Sequence, residues 1–397
     1  MTSEWHEVPL RELVGYISKG IAPSYAEEAS ETTIRVLNQK CNRNFRISYG
    51  DSRLHDTLKK KVPPERYVKP DDILINSTGA GTAGRIAQIE DVPSATTIDG
   101  HMILIRSNRK VTQKFLGYAL KAHQWEVLQL DEGSTGQTEL NRDRLLDEIM
   151  INYPVSFDEQ NAIVGTLESI DRKLIVNEQL NDNLEQQAKA IFDDHFINID
   201  TIPAGWKKGN LLDIANYSNG LAMQKFRPQG NEIGLPVLKI KELRQGSCDD
   251  SSERCSLSIK PEYIIHDGDV VFSWSGSLLV DIWCGGTCGL NQHLFKVTSD
   301  VYDKWFYYLW TAHHLARFIA IAADKATTMG HIKREELAKA EVLIPCEEDY
   351  TSLNSIMQPI FELIISNRIE SRKLAALRDE LLPKLMSGEI DVSAVQL

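Results

Sequence analysis

Apolar and polar positions alternate along this chain in two distinct ways. Short runs rich in β-branched and apolar residues begin at Ile34 (IRVLN), Asp71 (DDILIN) and His101 (HMILIRS), each bounded by Gly, Pro, Asn or Asp. They predict strands. The runs PVLKI from Pro236, DVVFSW from Asp269 and HLFKVT from His293 predict a second set. Each set is accompanied by one helical stretch, Gln113–Leu128 and Tyr302–Ala323. From Asp158 to His195 no proline intervenes and helix formers dominate. Apolar residues there follow a 4-3 spacing: Ile163, Leu167, Ile170 and Leu174, then the polar Asn177 and Asn181, then Leu184, Ala188 and Ile191. The stretch Asp349–Glu389 repeats this with Leu353, Met357, Ile360 and Ile364, then Asn367 and Ser371, then Leu374, Arg378 and Leu381. Two helices sharing a heptad seam and its polar break predict an antiparallel, coiled-coil-like pair. The estimated midpoints place Asn177 opposite Asn367, as a side-chain pair that sets helix register. Pro359 should kink or restart the second helix.

The repeated seam extends to the whole chain. Trp5 with VPLRELVGYISKGIA matches Trp206 with KKGNLLDIANYSNGLA, aligning Tyr16 with Tyr217 and Gly20 with Gly220. The order continues through IRVLNQK and LPVLKIK, then VKPDDILINSTG and IIHDGDVVFSWSG. It ends with GHMILIRS and QHLFKVTS, which puts His101 on His293, and with TELNRDRLLDEIMINYP and GHIKREELAKAEVLIPC. A period this long is a domain duplication rather than a solenoid. The fold class is α+β: two duplicated α/β domains joined by two long antiparallel helices, with pseudo-two-fold symmetry. The expected boundaries are 1–155, 156–200, 201–346 and 347–397.

Composition supports a globular chain, with 42% hydrophobic and 25% charged among 397 residues. No apolar run reaches 18 residues, and the N-terminus has no apolar signal region, so the expected location is cytoplasmic. A net charge of −12 argues against a simple basic nucleic-acid binder. The acidity is localised, however: residues 151–200 carry −7 and residues 346–397 carry −4, leaving both α/β domains close to neutral.

Motifs for chemistry are weak. Gly79, Gly81 and Gly84 fit G-x-G-x-x-G, but Arg85 and Ile86 occupy the Walker Lys and Ser/Thr positions, and the duplicate copy lacks the pattern. A Gly-rich turn is the expectation. Cys284 and Cys288 form C-x3-C, yet Cys248 and Cys255 upstream match no common zinc spacing. Reduced thiols and no bound metal are expected. His313 and His314 read as packing or surface residues. No catalytic constellation is present, which speaks against an enzyme acting alone.

Taken together, the duplicated Trp-led start, the strand–Gly–strand centre, the two helical spacers and the tail LRDELLPKLMSGEI (Leu377–Ile390) resemble the specificity subunit of a type I restriction–modification system. The resemblance spans essentially the whole chain. It implies a non-catalytic reader of double-stranded DNA, with one target-recognition domain per half of a bipartite asymmetric site. The helices would then set half-site spacing and dock two methyltransferase subunits, with restriction/translocase subunits as further partners. No cofactor is expected on this chain; S-adenosylmethionine, and ATP with magnesium, belong to those partners. Loop residues with forked or hydrogen-bonding side chains are the candidate DNA contacts. In the first domain these are Asn38, Gln39, Lys40, Asn42, Arg43, Asn44, Arg46, Lys59, Lys60, Lys61, Ser77, Thr78, Gln137, Asn141 and Arg142. In the second they are Gln224, Lys225, Arg227, Lys239, Lys241, Arg244, Ser273, Trp274, Lys325, Thr327, Thr328, Lys333 and Arg334. The alternative is a duplicated coiled-coil scaffold that organises other proteins without binding DNA.

Overall fold

A computed structural model describes residues 4–132, 139–324, 332–392 and 395. The chain divides into two compact units, Met1–Asp171 with Ala376–Leu397, and Arg172–Ala375. The divisions therefore fall inside the long helices, not at their ends.

In the first unit, Val14–Lys19, Met102–Ser107, Ile73–Asn76 and Ile86–Gln88 form one four-stranded sheet in that order. A second sheet is built on Thr33–Leu37, which pairs parallel with Thr96–Ile98 and antiparallel with Arg53–Asp56. In the second unit, Asn216–Asn219, Leu294–Thr298, Val270–Ser273 and Leu279–Ile282 repeat the first arrangement. Leu235–Leu238 repeats the second, parallel to Cys288–Leu290 and antiparallel to Arg254–Cys255. The first sheets match in strand order and the second in three of their four strands, although Tyr25–Ala26 adds to Arg53–Asp56 in one unit and Ile264–Ile265 to Cys288–Leu290 in the other; this shared core is the duplication read from sequence. The central strands Ile73–Asn76 and Val270–Ser273 are buried throughout, which explains their continuous apolar runs.

The two expected helical stretches each break once, at the same place. Gln113–Ala122 gives way to Gln124–Leu128 at His123, and Lys304–His313 to Leu315–Asp324 at His314. His313 packs against Phe192 and Trp310, and His314 Nε2 lies 2.8 Å from Glu341 O. Burial holds both imidazoles below their ordinary 6.5. A base whose folded pKa is lowered stabilises the fold fully above its unfolded value, and that stability is lost as pH falls through it. Thermal melts should therefore show a lower Tm at about pH 5.5 than at about pH 7. His314→Gln should flatten this slope, and an unchanged slope would remove histidine protonation as its cause.

The long helices are Phe157–Phe192, continued by a π-helical turn Asp193–Ile197, and Glu347–Met386. Acidic residues fill both first turns, where the helix dipole favours them. Each start is tied to a strand by the repeat's leading tryptophan. Trp5 Nε1 donates to Glu159 at 3.2 Å and Trp206 Nε1 to Asp349 at 2.6 Å. The second helix does not restart at Pro359 but runs through it without a break. That residue is exposed, so the carbonyl one turn back that loses its amide partner can be solvated.

The polar break is buried, with Asn177 at 1% exposure, but its partners differ from expectation. Asn177 does not face Asn367 as its hydrogen-bond partner. Asn177 Nδ2 donates to Glu370 Oε2 at 2.7 Å and Ser371 Oγ at 3.2 Å, while Asn367 Nδ2 donates to Asn181 Oδ1 at 3.0 Å. The helices are thus crossed by two pairs, 177 with 371 and 181 with 367. Their local two-fold passes midway between Asn177 and Asn181, two residues from the midpoint the helix lengths suggested. Lys173, 3.1 Å from Glu370, completes the layer, and Asn177 and Lys173 together hold that carboxyl below its usual range.

Candidate nucleic-acid interface

A residue that contacts DNA must be exposed and must have donors left over from the fold, and these two conditions sort the expected readers. Asn38, Asn42, Ser77 and Ser273 fail both. Asn38 accepts from Lys40 N and donates to Asp51 O. Asn42 Nδ2 donates to Asn76 Oδ1 and Arg85 O, at 3.2 and 2.8 Å. Ser77 and Ser273 are fully buried in the central strand ends. These four shape the loops from beneath and do not present donors. Asn141 is also engaged, capping the helix Arg142–Glu148 through Asp143 N and Arg144 N and donating to Glu132. Trp274 is half-buried and packs on His293 and Phe295.

The remaining positions lie on loop edges. Asn42–Arg43 and Arg46–Ile47 form a small hairpin whose turn residues, Asn44 and Phe45, have φ of 52° and 61°. Two successive left-handed residues match the right-handed twist of the flanking strands, and the turn exposes Arg43 and Asn44 next to Lys40. Arg43 lies 3.8 Å from Asp51, and Arg46 is half-buried. Gln39 O accepts from Asn76 Nδ2 beneath this turn. Lys59 lies 3.8 Å from Asp56, Lys60 Nζ reaches Ala22 O, and Lys61 is exposed beside them. In the second domain Lys239 pairs with Glu253 at 2.9 Å and Lys241 with Asp249 at 3.6 Å. Gln224, Lys225, Arg227, Arg244, Lys333 and Arg334 are exposed, as is Arg142 in the first domain. Among the described residues Lys61, Arg142, Lys225, Arg227, Arg244, Lys333 and Arg334 make no ion pair, so their charge is available to a polyanion. Gln137, Lys325, Thr327 and Thr328 lie outside the described residues.

Other side chains in these regions escaped sequence reasoning. The Arg53 guanidinium stacks 3.4 Å from the centre of the exposed Tyr25 ring. Ile233 and Leu257 are more than half exposed, in loops that Glu232 holds together by accepting from Leu257 N and Ser256 Oγ. His101 and His293 contact Thr78 and Ser275, and their alignment in the repeat was the one signal that could have flagged them.

The Gly-rich decoy is a turn. Gly79, Gly81 and Gly84 all have positive φ, and a strand rather than a helix follows at Ile86–Gln88. The cysteines are free thiols that divide among separate core clusters, Cys284 in one, Cys288 with Cys248 in another and Cys255 in a third. No group of three or more His, Cys, Asp or Glu suited to a metal occurs among the described residues. No helix among them is long and apolar enough to cross a membrane.

The family model for the type I restriction modification DNA specificity domain matches residues 2–186 and again 203–377. The chain is 27% identical over 372 residues to the type I restriction enzyme MjaIX specificity subunit of Methanocaldococcus jannaschii, covering 87% of this chain and 83% of that one. It is 20% identical over 195 residues to the HindI specificity subunit of Haemophilus influenzae, covering 48% of this chain and 42% of that one. A crystal structure of the type I restriction–modification S subunit from M. genitalium superposes with a TM-score of 0.61 at 14% identity, covering 97% and 99% of the two chains.

Proposed function

We propose, from the premise that this chain belongs to the type I restriction–modification DNA specificity family, that its two domains divide the recognition of one bipartite DNA site between them. The family places sequence-specific DNA recognition in this chain. The observation that supports one half-site per domain is the combination of matched core strands with unmatched loops. Equal scaffolds would offer each domain to the duplex in the same manner, while different exposed side chains read different base edges in the major groove. The helices, acidic on their solvent faces, would stand off the phosphates. Their crossed Asn and Ser layer would fix the distance between half-sites.

In this reading the chain performs no bond-making step and holds no cofactor. Two methyltransferase subunits dock on the helices and bring S-adenosylmethionine, and restriction/translocase subunits bring ATP and magnesium. Near-neutral domains give few counterion-releasing contacts, so binding by the chain alone should be weak until partner subunits add phosphate contacts.

The deciding experiment exchanges residues 1–155 for the corresponding region of a relative with another target. The assembled complex should then methylate a site changed in one half and unchanged in the other. A change in both halves, or in neither, would refute the division of labour.

A further inference from the structure

The two domains differ in their exposed loops: STGAGTAG from Ser77 stands where the second domain has WSGSL from Trp274. At one place, however, the same four-part arrangement recurs. Gly20 and Gly220 end equivalent strands against a turn. A Cβ added there would lie 2.1 Å from Asp99 O in one domain and 2.2 Å from Leu290 O in the other, so only glycine allows the approach. The turns are Asp99–Gly100–His101 and Asn291–Gln292–His293. In each, the first side chain accepts from the histidine's amide, at 2.9 and 3.1 Å. Each histidine immediately precedes a core strand, and its Nδ1 meets a hydroxyl two residues past the end of the neighbouring strand. Thr78 Oγ1 lies 2.7 Å from His101 Nδ1, and Ser275 Oγ lies 3.0 Å from His293 Nδ1.

The turns do not need these imidazoles. They are already closed by Met102 N donating to Asp99 O and Leu294 N to Asn291 O, and Ser77 N further donates to His101 O. Nonetheless both copies retain the ring and its hydroxyl partner, with His101 exposed and His293 half-buried. Engagement of Nδ1 fixes the ring and leaves Nε2 as its other hydrogen-bonding atom. In the second domain Gln292 Nε2 lies 3.3 Å from it, at the long end of hydrogen bonding. Two acids lie against the first site: Glu139, whose backbone bridges to Thr78 and whose side chain is paired with Lys19, and the buried Asp99, whose carboxyl is taken up by the His101 amide and is pushed above its ordinary pKa by burial.

What two domains with different loops share should contact what two different half-sites share, which is the sugar–phosphate backbone. We propose that Thr78–His101 and Ser275–His293 are a duplicated phosphodiester contact, one per half-site, that positions each domain without reading sequence. This rests on the DNA-reading function above and adds to it a specific binding site.

The test uses the complex reassembled with its methyltransferase subunits, on duplexes containing the methylated site and on random duplexes. His101→Ala and His293→Ala should each weaken binding about three- to tenfold, by the same factor on both kinds of DNA. The methylated sequence and the Tm of the chain should not change. Thr78→Val, which keeps the side-chain volume, should show the same uniform loss in smaller measure. A duplex with one neutral methylphosphonate should reproduce the His101→Ala loss at a single phosphate of one half-site, and combining the two should add nothing further. Unchanged affinity, a loss confined to particular base pairs, or a loss that tracks a lowered Tm would each overturn the phosphate contact. Failure of the wild-type complex to prefer its own methylated site would instead overturn the DNA-reading function, and this proposal with it.

Discussion

Asp171→Ala should destabilise the first unit by about 3–5 kcal/mol, the range for removing one partner of a buried charge cluster. Asp171 accepts from Tyr118 Oη at 2.9 Å, Lys121 Nζ at 3.1 Å and Arg378 Nη1 at 3.1 Å. The charged side chains are only 11–19% exposed, so water can do little to replace the carboxylate. Burial alone would raise the Asp171 pKa; Lys121, Tyr118 and Arg378 outweigh it and hold the carboxyl below its ordinary value. Burial pushes Lys121 down despite the pair, with Arg378 adding to the effect. Alanine would leave Lys121 without its anion and Arg378 with only the exposed Asp379, and Tm should fall by roughly 10 °C for a unit of this size. The sign with pH follows from the lowered acid: the stabilisation is complete above pH 3.8 and is lost as pH falls through the folded pKa. Asp171→Asn, which keeps an acceptor but no charge, should fall between. A Tm within about 2 °C of wild type for Asp171→Ala would show that the cluster is not tightly coupled. The duplicate position makes a telling contrast. At the same offset as the repeated seam, Phe361 stands for Asp171 and Tyr308 for Tyr118, and their rings meet edge to face at 5.7 Å. One copy binds its helix by charge, the other by apolar contact.

Asn367→Leu should cost about 1–3 kcal/mol, while Asn181→Leu together with Asn367→Leu should be close to neutral or stabilising. In the single variant Asn181 Oδ1 loses the donor it has at 3.0 Å, inside a seam where both residues are nearly buried. Asn181 Nδ2 retains Ile364 O at 3.3 Å, so the deficit is one unmatched acceptor. The double variant removes both polar groups and places leucines across a leucine-rich seam. Denaturant titration of the four chains of the cycle measures the coupling, and additive losses would mean the pair is not a unit. The double variant should also relax the register that the crossed layer imposes. Methylation of sites with altered half-site spacing would report that loss, and an unchanged spacing would assign register to the strand contacts at the helix starts instead.

The amino-acid sequence by itself determined the duplication, the strand cores and the helix seam. The duplication is written in matched segments recurring in the same order far along the chain, and the strand cores and seam in short-range patterns, because burial of a strand or a helix face constrains residues a few positions apart. Ile73–Asn76 and Val270–Ser273, or Leu167 and Met357, could be placed without knowing their neighbours. Only the tertiary structure decided which polar loop residues face outward and which partners meet in the seam. Asn42 looks like a reader until Asn76 and Arg85, 34 and 43 residues away, take its amide. Thr78 and His101 are 23 residues apart, and nothing in either segment alone announces the pair. The two-residue error in the seam has the same origin. Helix length estimates the midpoint, but the pairing is set where side chains from separate helices satisfy one another. Hydrogen-bond partners of a buried polar group are chosen by proximity in space, and a linear pattern carries no record of that distance.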